Sequence, residues 1–181
     1  MEFELATCTL REWRYEDINS LVRHANRREI AGKLRDSFPH PYTHDDAEEW
    51  VTLASATLPQ TDFAIEVDGV AVGGVGFELK TDIFRKTAEI GYWLSTPYWG
   101  RGICTEALCA LVPWGFETRG YTRIYAGVFS NNPASMRVLE KAGFEREARL
   151  KRAIYKNGEV LDEIIFATWP EHWLGPQDES A

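Results

Sequence analysis

Residues 98–107 read YWGRGICTEA, with Gly100, Arg101 and Gly102 directly before a stretch of helical character. A strand, a bare glycine turn and a helix entrance make unpaired amides converge on one point, where the helix dipole adds partial positive charge. Such a point binds phosphate. Glycines let the backbone approach a bulky diphosphate with no Cβ in the way, and Arg101 and the Thr105 hydroxyl can add charge and a hydrogen bond. A tight turn with a solvated arginine is the competing explanation of the same spacing. The segment lacks the third glycine of a dinucleotide fingerprint and the Gly-Lys-Ser/Thr of a nucleoside-triphosphate loop, so neither nucleotide reading fits well.

Positioning that turn requires a strand before it and a long helix after it. TAEIGYWLS, ended by Pro97, reads as the strand, and TEALCALVPWGFETRG as a helix stopped at Gly120. Pro113 is expected to bend this helix because it removes a backbone donor. Upstream, ATCTLREW alternates as a strand, and RYEDINSLVRHAN sets Ile18, Leu21, Val22 and Ala25 at helical spacing. A second helix, PYTHDDAEEWVTLASATL, opens with a Thr43/Asp46 capping box before Trp50, Val51 and Leu53, and the aromatic, Pro-rich RDSFPHPYT before it reads as a loop. DFAIEVDGVAVGGVGFEL is a hairpin turning at Asp68-Gly69.

Downstream, TRIYAGVF is a strand, and Asn132-Pro133 supply an N-cap and first-turn proline for ASMRVLEKA, which closes at Gly143. FEREARLKRAIYK and EVLDEIIFAT make a last hairpin at Asn157-Gly158, and the tail from Trp169 reads as irregular or short. The order β α α β β β α β α β β predicts one α/β (α+β) domain over residues 1–181. Its sheet is mixed and mostly antiparallel, with about seven strands and about four helices.

Composition agrees with one domain: 181 residues, 44% hydrophobic and 13% aromatic, suffice for a single sizeable core. A net charge of -8 argues against a general nucleic-acid binder and favours a cationic partner. No apolar run reaches membrane-spanning length and the first residues carry acids, so a cytoplasmic location with no membrane partner is expected. Cys8, Cys104 and Cys109 form no C-x-x-C pair, so neither disulfide nor metal is expected.

EIGYWLSTPYWGRGICTEAL, followed about thirty residues later by VFSNNPASMRVLEKAGFE, resembles the GCN5-related N-acetyltransferases, the GNAT superfamily. Within it the chain is most similar to the RimJ- and RimL-like branch of bacterial ribosomal-protein N-terminal acetyltransferases, whose first inter-helix loop and second helix FPHPYTHDDAEEW also resembles. The likeness runs from CTLREWRYED through DEIIFATWP and implies a GNAT fold and acetyl-coenzyme A as cofactor. In the family the turn carries Gln/Arg-x-x-Gly-x-Gly/Ala and wraps the pyrophosphate. Here the pattern is Trp99-x-x-Gly102-x-Cys104, which implies backbone donors from Arg101, Gly102, Ile103 and Cys104 beside Thr105. The resemblance places the pantetheine arm and thioester carbonyl at amides of Tyr92, Trp93 and Leu94. Asn132 is expected to cap its helix and touch the pantetheine or diphosphate region, and Arg137 to reach the adenosine 3′-phosphate.

Acetyl transfer needs a neutral amine, a polarised carbonyl, donors for a tetrahedral intermediate and a proton for the departing thiolate. Many relatives take that proton from a tyrosine shortly before the Gly-Phe that ends the second motif; Gly143-Phe144 is present here, but the tyrosine position is Leu139. The resemblance then points to Ser135, for which a first-turn serine bonding backbone is the alternative. Glu89 is the expected base, against a strand-edge glutamate facing solvent. The branch's own glutamate falls at or near Ile154, and Asp162 is a third possibility. Phe38, His40 and Tyr42, with Trp93, are expected to line the acceptor site, while Trp50, Trp114 and Phe116 read as core. Cys104 can be read as an acetyl-accepting nucleophile or as a small buried filler, and its place against the phosphates favours the filler. The implied acceptor is a primary amine, foremost a protein N-terminal α-amine. A small amine such as an aminoglycoside or polyamine, or a non-catalytic acyl-coenzyme A sensor, is the alternative, with the protein a monomer or homodimer.

Overall fold

Two tight hairpins build much of the sheet, and their turns are written in the sequence. Asp68 and Gly69 have φ of 52° and 78°, and Asn157 and Gly158 have 51° and 85°. Positive φ at both central residues gives the turn the twist of its flanking strands. The first turn joins β3 and β4 and the second joins β7 and β8. The structure is a computed structural model that describes residues 1–175; the last six residues of the expected domain, 176–181, lie outside the described residues.

The strands are β1 (Phe3–Glu4), β2 (Thr9–Arg11), β3 (Asp62–Val67), β4 (Val70–Leu79), β5 (Thr87–Leu94), β6 (Arg123–Phe129), β7 (Glu145–Lys156) and β8 (Glu159–Thr168). The α-helices are α1 (Ile18–Ala25), α2 (Arg28–Ala31), α3 (His44–Ala56), α4 (Ile103–Arg119), α5 (Pro133–Lys141) and α6 (Glu171–Leu174). One sheet orders the strands β1-β2-β3-β4-β5-β6-β8-β7, antiparallel except for β5 with β6. The eighth strand, absent from the expected seven, is the two-residue β1, too short to show alternation. The two extra helices, α2 and α6, are four residues each. The second stands in the tail read as irregular or short, tied down by the Trp173 indole N–H on Thr168 Oγ1 at 2.8 Å.

Each face of the sheet buries its own cluster. On one side Ile90 and Leu94 of β5, Ile124, Ala126 and Val128 of β6, and Ile164 and Phe166 of β8 pack under α4 and α5. On the other, Trp13, Leu21, Tyr42 and Val51 cover Ala64 and Ala71, with Phe38 and Trp93 packed beside them. A full-length buried side chain contributes about 1.5–3 kcal/mol, so a one-residue slip of any strand, which turns its apolar set outward, is heavily disfavoured. The Thr43/Asp46 capping box forms as read, with the Thr43 N–H on Asp46 Oδ2 at 2.7 Å. α4 runs through Pro113 as one element of 17 residues and ends on Gly120, whose φ is 62°. Phe116 is buried in the core, and Trp50 and Trp114 pack against it.

One feature of the sheet matters most for the site. β5 is laddered to β4 along its whole upper length, but to β6 only through Thr87, Ala88 and Glu89. Beyond Glu89 the two parallel strands part. The Ser95 N–H donates to Val72 O at 2.8 Å, so by antiparallel alternation the amide of Trp93 is turned to β4 while those of Tyr92 and Leu94 face the gap.

Candidate functional site

At the wide end of the gap lies the entrance of α4. Gly100 has φ 77°, and Gly102, its N-cap, has φ 82° and ψ -4°, left-handed values at which a side chain is strained. Nothing lies within 4 Å of where a Cβ would stand on either. No side chain caps this helix end, and Glu106 makes the first backbone bond, to Gly102 O at 3.0 Å. The amides of Ile103, Cys104 and Thr105 therefore have no intrahelical acceptor, and with the helix dipole they fit a diphosphate. Arg101 folds back on its own turn, donating to Pro97 O at 3.0 Å with its guanidinium 5.1 Å from the Tyr98 ring centre. Cys104 packs against the core, and burial pushes its thiol up to about 12, opposite to what a nucleophile needs.

Along the gap, Asn132 Oδ1 caps α5 by accepting the Ser135 N–H at 3.3 Å. The Tyr92 hydroxyl lies 2.7 Å from Ser135 Oγ and donates to Ser135 O at 3.2 Å. Desolvation holds the Tyr92 phenol well above its ordinary value, so the pair stays protonated. Leu139 is fully buried in the core, leaving no polar group at that position. Arg137 is exposed on α5.

The opposite face of the same strands carries the residues that the sequence points to for the acceptor. Here Glu89 is bound by Arg35, by Lys80 at 3.0 Å and by the Tyr125 hydroxyl at 3.1 Å. Burial alone pushes its pKa up, but the Arg35 and Lys80 bonds outweigh it and hold the carboxyl below its usual range. The sequence points to Glu89 as base; in the structure two cations and a phenol donate to its carboxylate. Phe38 packs on Trp93 at 5.7 Å and on Tyr42 at 5.2 Å between ring centres. Tyr42 is buried behind Phe38, its phenol pushed up to about 12, while His40 is exposed. Of the three aromatic residues expected at the acceptor site, the structure brings Phe38 to Trp93. Asp162 fastens β7 to β8, taking the Arg149 guanidinium and the Arg152 N–H at 2.8 Å.

The loop before α3 spans this face, with Lys33 on Asn131 O at 2.8 Å, Arg35 on Glu78 and Glu89, and Asp36 on Lys156 at 2.7 Å. Beneath it lies Glu163 of β8, opposite Phe129 of β6. Glu163 belongs to none of the motifs read in the sequence. Its signal was the alternation of DEIIF, where inward Ile164 and Phe166 put Glu163 and Ile165 in register with different strand partners.

A family model described as an acetyltransferase (GNAT) domain matches residues 8–145. The chain belongs to the GNAT acetyltransferase family. It is 36% identical over 96 residues to YoaA of Bacillus subtilis, an uncharacterized N-acetyltransferase, covering 53% of this chain and 54% of that protein. It is 32% identical over 105 residues to the ribosomal-protein-serine acetyltransferase of Escherichia coli, 58% of each chain. It thus spans little more than half the length of these curated relatives. A RimL ribosomal alpha-N-protein acetyltransferase, solved in complex with coenzyme A, superposes with a TM-score of 0.83 at 21% identity, over 95% of this chain and 99% of that one. That likeness establishes the fold. Among the described residues, no helix is long and apolar enough to cross a membrane, and no group of three or more His, Cys, Asp or Glu side chains is placed to hold a metal ion.

Proposed function

We propose that the chain is an acetyl-coenzyme A-dependent N-acetyltransferase acting on a primary amine, foremost a protein N-terminal α-amine, by direct transfer in a ternary complex. The observation that carries this reading is the parting of β5 from β6 immediately below the open glycine entrance of α4. Linked phosphates held by the amides of residues 101–105 direct the pantetheine arm into this gap. There the outward amides of Tyr92 and Leu94 are free to bond the arm and polarise the thioester carbonyl. Asn132 stands where its side chain borders the arm, and Ser135, oriented by Tyr92, supplies a proton to the departing thiolate. Arg137, exposed on the same helix, is free to meet the adenosine 3′-phosphate. The acceptor enters past Phe38 and His40 on the opposite face, where Glu78, Glu89 and Glu163 favour a cationic amine. The ribosomal-protein relative supports a protein amine over an aminoglycoside or polyamine, and the net charge of -8 suits a cationic acceptor of either kind.

The test is thiol release from acetyl-coenzyme A against peptides of varied N-terminus, polyamines and aminoglycosides. Turnover with peptides is expected. Stabilisation by acetyl-coenzyme A without thiol release from any amine would replace the enzyme with an acyl-coenzyme A sensor, and stabilisation by ATP alone would remove the coenzyme site.

A further inference from the structure

On the acceptor face the floor between the parted strands is bare. Glu89, Gly91 and Trp93 alternate onto this face of β5, and Tyr125, Gly127 and Phe129 onto the same face of β6, as the Tyr125 to Glu89 bond confirms. Gly91 is exposed, with no atom within 4 Å of an added Cβ. Across the gap, a Cβ on Gly127 would fall 2.2 Å from Glu163 Oε1, so the carboxylate lies directly over the bare backbone of β6. Two glycines thus open a window through the sheet, with a carboxylate at its rim.

We propose, on the basis of the acetyltransferase reading above, that Glu163 is the general base that takes the proton from the acceptor ammonium at this window. Among the described residues its carboxylate has no hydrogen-bond or ion-pair partner, whereas Glu89 is fully engaged. Burial, then the charge of Glu89, raise the Glu163 pKa, with Arg35 opposing; a base poised nearer neutrality is the better proton acceptor. The other groups on this face are neutral Tyr125 of β6, the Lys80–Glu78 pair of β4, and Leu150 of β7 opposite Glu163. Chemically, the amine nitrogen gives up two protons as its C–N bond forms and the C–S bond breaks. One passes through Glu163 to solvent. The other leaves the nitrogen as the tetrahedral intermediate collapses and, through solvent, restores the proton that Ser135 has given to the thiolate, leaving a neutral amide and the free coenzyme thiol.

The experiment compares wild type with Glu163→Gln and Glu163→Asp over pH 5.5 to 9.5, with kcat read from thiol release and acetyl-coenzyme A affinity and thermal stability measured alongside. Since the deprotonated form is active, wild-type kcat is expected to fall as pH drops through a pKa above the ordinary carboxylate range. Glu163→Gln is expected to lose about 100-fold or more at neutral pH, to lack that acid limb, and to keep the wild-type affinity for acetyl-coenzyme A. Glu163→Asp recovers part of the loss and keeps the limb. An active wild type with an unchanged pH profile in Glu163→Gln overturns the base while leaving the acetyltransferase intact. A wild type that releases no thiol overturns both.

Discussion

The hydroxyl pair at the start of α5 gives the most informative perturbation, Ser135→Ala. In the native protein the Tyr92 hydroxyl has two partners on one residue, Oγ at 2.7 Å and the main-chain carbonyl, which accepts its proton, at 3.2 Å. Removing Oγ leaves the carbonyl, so no buried donor is orphaned. The loss is one ordinary hydrogen bond, about 1 kcal/mol, and Tm should fall by only about 2–4 °C in a chain of this size. The Asn132 cap bonds the Ser135 main chain and survives the substitution.

Catalysis should suffer more. General acids contribute about 100- to 10,000-fold, but a thiolate leaves well without full protonation because its conjugate acid has a pKa of about 8.5, so the low end applies. We expect kcat from thiol release to fall about 10- to 100-fold, roughly 1.4–2.7 kcal/mol of barrier, with acetyl-coenzyme A affinity unchanged. Tyr92→Phe, which removes the orienting partner and keeps the acid, should cost less than Ser135→Ala. Full kcat in Ser135→Ala refutes the assignment; a fall in stability beyond about 3 kcal/mol with lost coenzyme affinity shows instead that Ser135 is a structural residue.

Gly102→Val places a β-branched side chain at φ 82° and should cost at least about 1–2 kcal/mol of stability while abolishing the thermal shift given by acetyl-coenzyme A; an undiminished shift removes the phosphate cradle from this turn. Arg11 is 3% exposed and holds Asp17 through bonds of 2.7 and 2.8 Å, so Asp17→Asn should cost about 3 kcal/mol by urea unfolding, the remaining Glu66 contact keeping it from the upper end of the 3–5 kcal/mol range. With Cys8 pushed to about 11 and Cys104 to about 12 by burial, a limiting alkylating reagent at pH 7 should label exposed Cys109 first, and acetylation of Cys104 by acetyl-coenzyme A should be absent from mass spectra.

The legible parts of this protein are those built from local rules. Asp68-Gly69 and Asn157-Gly158 demand left-handed backbone at both turn positions, Thr43/Asp46 closes a capping box, and Gly102 and Gly120 bound α4 from either end; each is decided by residues within a few positions of one another. The contacts of Glu89 are not legible in the sequence because two of its three partners arrive from far away. Arg35 lies 54 residues before it and Tyr125 36 residues after it, and no local pattern announces either contact. Glu163 was overlooked for the same reason, since its place depends on which strand lies beside β8 and on that strand carrying glycine at 127.

On the proposed reading, that difference also bears on the two side chains that the family resemblance leads one to expect and that this chain lacks. The proposed phosphate seat is made of main-chain amides, so it does not depend on the side chains at Trp99 and Cys104. The acid and base need only reach a point on the gap, so the element that carries them is free to change. Leu139 fills core space on α5, yet a phenol arrives from β5 at Tyr92 and meets Ser135 on the first turn of the same helix. Ile154 cannot titrate on β7, yet the neighbouring strand sets Glu163 over Gly127. On this reading the base comes from the strand beside the apolar position on β7, the acid stays on the helix that carries Leu139, and the bare backbone at Gly91 and Gly127 leaves room for Glu163 at the gap.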